Sequence, residues 1–204
     1  ERAVRCGVGS IEHGNYASDE TLDLMKQKGV FLVPTLITYD RLKKDGVAGG
    51  MPQELVDKVG DLVERGQNTL KNATEKGVEV CYGSDLLGDM HKWQAHGIDL
   101  HLKAGVSNVD LLKSLVHTPH KMMYTHKMIY PGAGYLRSAD IPPSSVYGYA
   151  GFRADLLVVK GDVLENPRLL MDPDNIKVII ANGKIVKNEL GFKKEESAAK
   201  RARR

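Results

Sequence analysis

Two residues of this sequence combine a side chain suited to metal binding or proton transfer with a position just after a predicted strand. His13 follows the segment from Val8 to Glu12, and Asp85 follows the segment from Val78 to Tyr82 across Gly83-Ser84. A neutral imidazole nitrogen is a ligand for zinc, and a carboxylate can bind a divalent ion and accept a proton from water. By position alone, a turn or loop-capping role is the commoner explanation for a single strand-end histidine or aspartate.

The elements that must position these two residues alternate between strand and helix. Ser18 is a predicted N-cap for a helix that ends at Gly29. The uninterrupted apolar run from Val30 to Val33 then predicts a strand buried on both faces, which Pro34 ends. Because the carboxyl ends of parallel strands meet at one edge of a sheet, this order can bring His13 and Asp85 together.

The middle of the chain continues the same alternation. A polar, Gly-rich loop is predicted from Lys43 to Gly50, and Pro52 is predicted to open one long helix that ends at Gly77. Helical patterning resumes around Ile98–Lys103 and Val109–Val116. Three strand–helix units in succession predict a parallel sheet with helices outside it.

The pattern changes after the last of these helices. The stretch from Tyr130 to Tyr149 has no clear period and is interpreted as a surface insertion or a gene-model error. Beyond it, Ala154–Lys160 and Ile176–Ala181 are β-rich, and Asn182-Gly183 is a strong hairpin signal before Ile185-Val186. We therefore expect a parallel α/β region over residues 1–127, a small antiparallel β module over 128–190 and a disordered basic tail over 191–204.

Composition excludes several classes of function. The net charge of +3 comes from the terminal tail, and without it the body of the chain is close to neutral, which argues against a nucleic-acid-binding surface. No apolar run approaches the ~20 residues that span a bilayer. Cys6 and Cys81 form neither a CxxC motif nor a disulfide framework, and both are expected near buried strands. These features favour a cytoplasmic protein without a membrane partner.

Five segments carry a resemblance to a known family. They are GSIEHG (Gly9–Gly14), GVFLVPTL (Gly29–Leu36), GVEVCYGSD (Gly77–Asp85), GFRADLLVVKGDVLENPRLL (Gly151–Leu170) and VIIANGKIV (Val178–Val186). In this order the segments resemble the amidohydrolase superfamily, in the branch of imidazolonepropionase-like and metal-dependent prolidase-like enzymes that includes the fungal ochratoxin-hydrolysing amidases. The resemblance implies an α/β fold: about strands six to eight of a TIM-like (β/α)8 barrel, followed by a small antiparallel β-sandwich.

The same resemblance assigns roles to particular residues. His13 becomes a ligand of one metal, and Asp85 becomes a ligand of the other metal and the general base, with zinc as the expected ion, in one or two copies. The resemblance implies hydrolysis of an amide-type C–N bond of a small-molecule substrate by activated water. His91, just beyond Asp85, is the candidate substrate-binding residue.

Other metal ligands of that family are absent from this sequence. It contains no His-x-His pair, and the resemblance places the family's remaining lysine and histidine ligands before the matched region. We therefore expect the chain by itself to be inactive. Two alternatives stay open: a non-catalytic truncated chain or pseudoenzyme that acts through association, homo-oligomers included, and a complete small α/β binding protein with only fold-level likeness.

Overall fold

A computed structural model describes residues 1–125 and 155–191. The helices of these ranges are α1 (Arg2–Arg5), α2 (Asp19–Lys28), α3 (Leu36–Asp45), α4 (Gln53–Val59), α5 (Leu62–Lys76), α6 (Gly97–Lys103), α7 (Asn108–Leu115) and α8 (His117–Thr125). The strands are β1 (Ser10–Glu12), β2 (Phe31–Val33), β3 (Leu156–Val159), β4 (Ile176–Ala181) and β5 (Lys184–Asn188). The 3-10 helices are Gly88–His96, Pro167–Met171 and Pro173–Asn175. The stretch from Tyr130 to Tyr149 and the basic tail after Gly191 lie outside the described residues.

The parallel arrangement of the first strands is confirmed. Ile11 of β1 pairs with Leu32 of β2, and Leu32 forms a parallel bridge to Val80 on its other side. The predicted third strand, Val78–Tyr82, is shorter than expected, because the described residues pair it to β2 through this one bridge and its two flanking hydrogen bonds of 2.9 and 2.8 Å. The three segments nevertheless run in the same direction, so their carboxyl ends share one edge.

Helix α2 has the caps that its sequence predicts. Ser18 Oγ accepts a hydrogen bond from the Thr21 N–H at 3.3 Å, and Gly29 ends the helix in the left-handed region at a φ of 65°. Leu22 and Met25 are fully buried and pack with Leu32 in a common apolar cluster. Helix α2 therefore covers one face of the strand that lies in the middle of the sheet.

The opposite face of β2 is buried as well. Phe31 and Val33 pack with Cys81, and Met122 of α8 lies against this cluster. The sequence prediction of a strand buried on both faces is therefore confirmed, and the two faces are covered by different helices.

The segment after β2 differs from expectation. Helix α3 begins at Leu36, with Leu36 and Ile37 buried, and runs to Asp45. The prediction of a loop beginning at Lys43 is therefore wrong at its start. The apolar residues at the beginning of α3 belong to the main core, which also contains Leu70 and Leu111. Their burial stabilises the helix, although its polar second half gives no helical pattern in the sequence.

The predicted single helix from Pro52 to Gly77 is two helices. Helix α4 ends at Val59 and α5 begins at Leu62, with Gly60-Asp61 between them. Glycine is among the poorest helix formers because it loses the most backbone entropy. The break lets α4 pack against α3 while α5 packs against both α2 and α3. The predicted end at Gly77 is confirmed, at a φ of 74°.

The distal strands form the expected antiparallel sheet in the order β3-β4-β5. Asn182 and Gly183 both have positive φ values, 50° and 72°, as the predicted two-residue turn requires. Both faces of β3 are largely exposed, with Leu156, Leu157 and Val158 at 50%, 55% and 41%. This sheet is therefore much less buried than the parallel one.

The 3-10 helix Pro167–Met171, between β3 and β4, ties the distal segment to the helices. Leu170 and Met171 pack against the main core, and the Arg168 guanidinium contacts Asp99 of α6 at 2.9 Å. The Asn108 side chain donates to the carbonyls of Leu164 and Glu165 at 2.8 and 3.0 Å. These contacts fix where the antiparallel sheet attaches.

The two cysteines lie in different environments. Cys81 is buried, and burial raises the pKa of its thiol to about 12. Cys6 is exposed, so the expectation that both cysteines are buried near strands is wrong for Cys6, which follows α1 instead. Among the described residues, no helix is long and apolar enough to cross a membrane.

Candidate functional site

The shared edge of the parallel segments gathers three polar side chains. His13 directly follows β1, Thr35 follows β2 after Pro34, and Asp85 follows the third segment after Gly83-Ser84. The His13 N–H donates to the Val33 carbonyl at 3.0 Å, which extends the β1–β2 pairing up to the site. The sequence-predicted convergence of His13 and Asp85 is present in the structure.

Both residues have backbone conformations that are unusual for residues other than glycine. The φ of His13 is 66° and that of Asp85 is 50°; the only other non-glycine residue with positive φ in the described ranges is Asn182, in the hairpin turn. Such left-handed residues cost of order 1–3 kcal/mol each and cluster at functional sites. The strain at His13 and Asp85 therefore supports a role beyond that of an ordinary turn.

The two side chains face each other across a short gap. His13 Nε2 lies 3.9 Å from the Asp85 Oδ2, too long for a direct hydrogen bond, and the side chains are 44% and 54% exposed. The other ring nitrogen, Nδ1, lies 2.6 Å from Thr35 Oγ1. The ring is thus held at one nitrogen while the second nitrogen points toward a carboxylate in a site open to solvent.

Helix α3 contributes two further contacts. Thr38 Oγ1 lies 2.7 Å from the Ser84 carbonyl oxygen and 2.6 Å from that of Asp85. The Tyr39 ring lies edge-on to the His13 ring, with 5.9 Å between centroids. Sequence reasoning missed Thr35, Thr38 and Tyr39. The position of Thr35, a polar residue near the end of a buried strand, is the same signal that singled out His13 and Asp85.

The segment after Asp85 forms the 3-10 helix Gly88–His96, which packs beside α3. The Arg41 guanidinium lies 4.3 Å from the centre of the Trp93 ring and also pairs with Asp45. His91 is exposed on this 3-10 helix, and within the described residues it forms no hydrogen bond or ion pair with His13 or Asp85. Its substrate-binding role stays a prediction.

A cavity of about 430 Å³ opens beside His13. Its lining includes Ile11, Asn15, Tyr16, Tyr39 and Leu62, so a largely apolar wall adjoins the imidazole. Such a mixture of apolar surface and a few polar groups is typical of small-molecule sites. Asp85 lies outside this lining, at the far side of His13.

A second cavity, of about 240 Å³, lies at the opposite end of the third parallel segment, beside Gly77–Val80. His101 lines it and is 1% exposed, its Nδ1 without a hydrogen-bond partner among the described residues. Burial lowers the pKa of His101 to about 4, so the ring is neutral at pH 7. The cavity contains none of the strand-end residues, so we place the candidate site at the His13 edge.

The donor set at that edge fits part of a divalent-metal site. One imidazole nitrogen and one carboxylate face each other, and the second imidazole nitrogen is hydrogen-bonded, as is usual for metal-ligating histidines. Within residues 1–125 and 155–191, no group of three or more His, Cys, Asp or Glu side chains is arranged to hold a metal ion.

Comparison with known proteins identifies relatives over most of the chain. The amidohydrolase family profile matches residues 1–186. The chain is 35% identical over 82 residues to an uncharacterised protein of Mycobacterium tuberculosis, covering 40% of this chain and 22% of that protein. It is 22% identical over 188 residues to the ochratoxinase of Aspergillus niger, covering 91% of this chain and 35% of the enzyme.

A solved structure of a prolidase complexed with N-methylphosphonate-L-proline shares the fold. It is 34% identical to this chain with a TM-score of 0.77, and the match covers 92% of this chain and 42% of the prolidase. These likenesses imply a fold related to the TIM barrel. The matched region covers less than half the length of each of these relatives.

Proposed function

This chain belongs to the amidohydrolase family, and from that premise we propose that it carries part of the active site of a metal-dependent hydrolase of C–N bonds. Members of the family are generally metal-dependent, and the prolidase and the ochratoxinase provide precedents for amide-type substrates. The observation that carries the proposal is the facing pair of His13 and Asp85, 3.9 Å apart, with strained backbones at the ends of the two segments that flank β2.

We further propose the architecture that this role requires. The three parallel segments are strands six to eight of a (β/α)8 barrel, and β3–β5 belong to a β-sandwich module, with the domain limits predicted from the sequence. The central place of β2 between β1 and Val80 supports this order.

In the proposed site, His13 through Nε2 and Asp85 through its carboxylate would be ligands for one or two divalent ions, with zinc as the proposed metal. When bound, such an ion lowers the pKa of a water molecule toward 7 and polarises a carbonyl. Asp85 accepts the proton of the attacking water and returns it to the leaving nitrogen, which is general base and then general acid catalysis by one carboxylate. The cavity beside His13 offers a largely apolar wall against which part of a small substrate can pack.

We also propose that the 204 residues alone are inactive. The ligands described at this edge are one imidazole and one carboxylate, whereas catalytic zinc normally has three protein ligands and a water. The remaining ligands would come from segments that the relatives possess outside the matched region.

Zinc affinity tests the proposal directly. Competition with a chromophoric chelator measures the Kd of the chain for Zn²⁺, and His13→Asn and Asp85→Asn are expected to weaken it at least about tenfold. Asparagine suits both positions because it tolerates positive φ better than alanine does. His91→Ala, an exposed histidine nearby, is the matched control and should leave the Kd unchanged. Equal affinity of all four proteins would overturn the proposed site.

A non-catalytic association role is the second candidate, and the exposed apolar strand β3 supports it. Sedimentation velocity separates the two candidates. If association is the function, the chain forms a defined oligomer, and Leu157→Lys dissociates it without changing the Zn²⁺ affinity. A monomer at all concentrations would exclude a homo-oligomeric form of this role.

A further inference from the structure

We propose that Thr35 and Thr38, the threonine pair at the start of α3, are positioning residues. They hold the His13 ring and the Asp85 turn in the orientation in which the two side chains face each other. The inference rests on the proposed function, because it concerns how the metal-binding geometry of that site is maintained. Neither threonine touches the substrate or the metal in this account; each acts through a neighbouring residue.

Thr35 fixes the orientation of the His13 ring. It is 3% exposed, and although it is the N-cap residue of α3, its side chain makes no capping hydrogen bond. Its hydroxyl lies instead 2.6 Å from His13 Nδ1. When Nδ1–H donates to this hydroxyl oxygen, Nε2 keeps the lone pair that a metal ion needs, and the ring presents it toward Asp85.

Thr38 fixes the turn that carries Asp85. Its hydroxyl lies within hydrogen-bonding distance of two consecutive carbonyl oxygens, those of Ser84 and Asp85, at 2.7 and 2.6 Å. Asp85 has a φ of 50°, and a strained residue persists only where surrounding contacts over-determine its conformation. The Thr38 hydroxyl is such a contact, because it can donate to either of these two carbonyl oxygens and both belong to the backbone of the turn.

The two hydroxyls act from one rigid element. Residues three apart lie on the same side of a helical turn, so the start of α3 presents both threonines to the same edge. This turn follows β2, which is paired with β1 on one side and with Val80 on the other. The spacing between His13 and Asp85 is therefore set by a helix anchored to the strand between them.

The close approach at Gly83 supports this arrangement. A Cβ built at Gly83 would lie 2.6 Å from Val33 Cγ1 and 3.7 Å from Thr35 Cγ2. The end of the third segment consequently packs directly on the end of β2, which places Ser84 and Asp85 within reach of Thr38. A side chain at position 83 would collide with Val33, so glycine allows this close approach.

Zinc affinity, with Zn²⁺ alone as the probe, is the first readout. Thr35→Val keeps the shape and removes the hydroxyl, and it is expected to weaken the Kd about 10- to 100-fold, as loss of an outer partner of a metal ligand typically does. Thr35→Ser restores the hydroxyl and should restore the affinity. Thr38→Val is expected to weaken the Kd by up to about tenfold, again with recovery in Thr38→Ser.

Thr74→Val is the matched control. Thr74 is partly buried and its hydroxyl donates to the Leu70 carbonyl at 2.9 Å, away from the site. Loss of this hydroxyl should leave the Zn²⁺ affinity unchanged. A purely structural role for Thr35 would lower the melting temperature of Thr35→Val and spare its Zn²⁺ affinity, and that result would overturn the proposal.

A double-mutant cycle in the absence of metal tests the positioning role of Thr35 independently of the proposed function. Urea unfolding of Thr35→Val, His13→Asn and the double variant should show non-additivity of about 2- to 10-fold in the unfolding equilibrium constant. If His13→Asn leaves the Zn²⁺ affinity unchanged while the cycle shows coupling, the proposed function is wrong, but the positioning of His13 by Thr35 is supported. An additive cycle overturns the positioning role, and Thr35→Ala provides a second route should Thr35→Val not fold.

Discussion

The two sheets of this molecule are built from similar apolar residues and yet differ sharply in burial. In β2, Phe31, Leu32 and Val33 are 2%, 0% and 8% exposed, whereas Leu156, Leu157 and Val158 of β3 are 50%, 55% and 41% exposed. Helices cover both faces of β2, and the strained residues His13 and Asp85 follow the two segments that flank it. The comparison indicates that the site depends on the buried sheet, because the tight packing around β2 fixes the ends of the segments that carry His13 and Asp85.

The largest expected difference between the sheets is in the free energy of unfolding. Leu32→Ala removes a fully buried side chain of β2 and is expected to cost about 2–5 kcal/mol. Leu157→Ala in β3 is expected to cost about 1 kcal/mol or less, because much of that side chain already contacts water. Urea unfolding followed by circular dichroism measures both; equal costs would show that the comparison is wrong.

His101 should make the buried region sensitive to acid. Its folded pKa of about 4 lies below the unfolded value of about 6.5, so its contribution to stability is complete above pH 6.5 and is lost as the pH falls toward 4. The loss amounts to about 3 kcal/mol at most. His101→Phe should flatten the dependence of the urea midpoint on pH between 7 and 4. An unchanged slope in this variant would assign the acid sensitivity to other groups.

Alanine substitutions at two glycines with positive φ allow the same two regions to be compared, because each adds a single methyl group. A Cβ at Gly14, beside the site, would lie 2.7 Å from Leu32 Cδ1, whereas a Cβ at Gly183 in the distal hairpin would have nothing within 4 Å. Both alanine variants incur the left-handed strain, but Gly14→Ala should cost about 1–3 kcal/mol more because of overpacking. Thermal unfolding of both variants measures the difference, and similar melting temperatures would contradict the tight packing at Gly14.

The smallest effect is expected at an exposed charge cluster of the distal sheet. Glu189 lies between Lys177 and Lys187, at 2.8 and 2.9 Å, and these hydrogen bonds lower its pKa to about 2. Any stability from this cluster is present above pH 4.3 and is lost as the pH falls toward 2. Since exposed ion pairs are screened, Glu189→Gln should change the urea midpoint at pH 7 by little, and less still in 1 M salt. A large, salt-independent change would show that the cluster is shielded from solvent.

Local signals in the sequence were sufficient for several elements and for the two site residues. Ser18 and Gly29 define α2 through capping chemistry, and Asn182-Gly183 defines the distal turn, because these features depend on neighbouring residues alone. His13 and Asp85 were found because each follows a strand. Their role as metal ligands stays a prediction.

The geometry of the site depends on contacts between distant residues and could not be predicted. Helix α3 was not predicted because its second half is polar, and Thr35 and Thr38 were therefore not predicted as site residues. Their hydrogen-bond partners, His13 and Ser84, are 22 and 46 positions away in the sequence. The break at Gly60-Asp61 was also missed, because it follows from how α4 and α5 pack on different partners. The positive φ values of His13 and Asp85 were likewise not predicted from the sequence.

The most direct measurement is a crystal structure of the chain grown with Zn²⁺, with anomalous diffraction data collected at the zinc absorption edge. The proposed site predicts an anomalous peak at the gap between His13 Nε2 and the Asp85 carboxylate. The peak should lie about 2.0–2.2 Å from at least one of these two ligands. The peak should disappear in Asp85→Asn crystals grown under the same conditions. A peak elsewhere on the chain, with none at the His13 edge, would contradict the account.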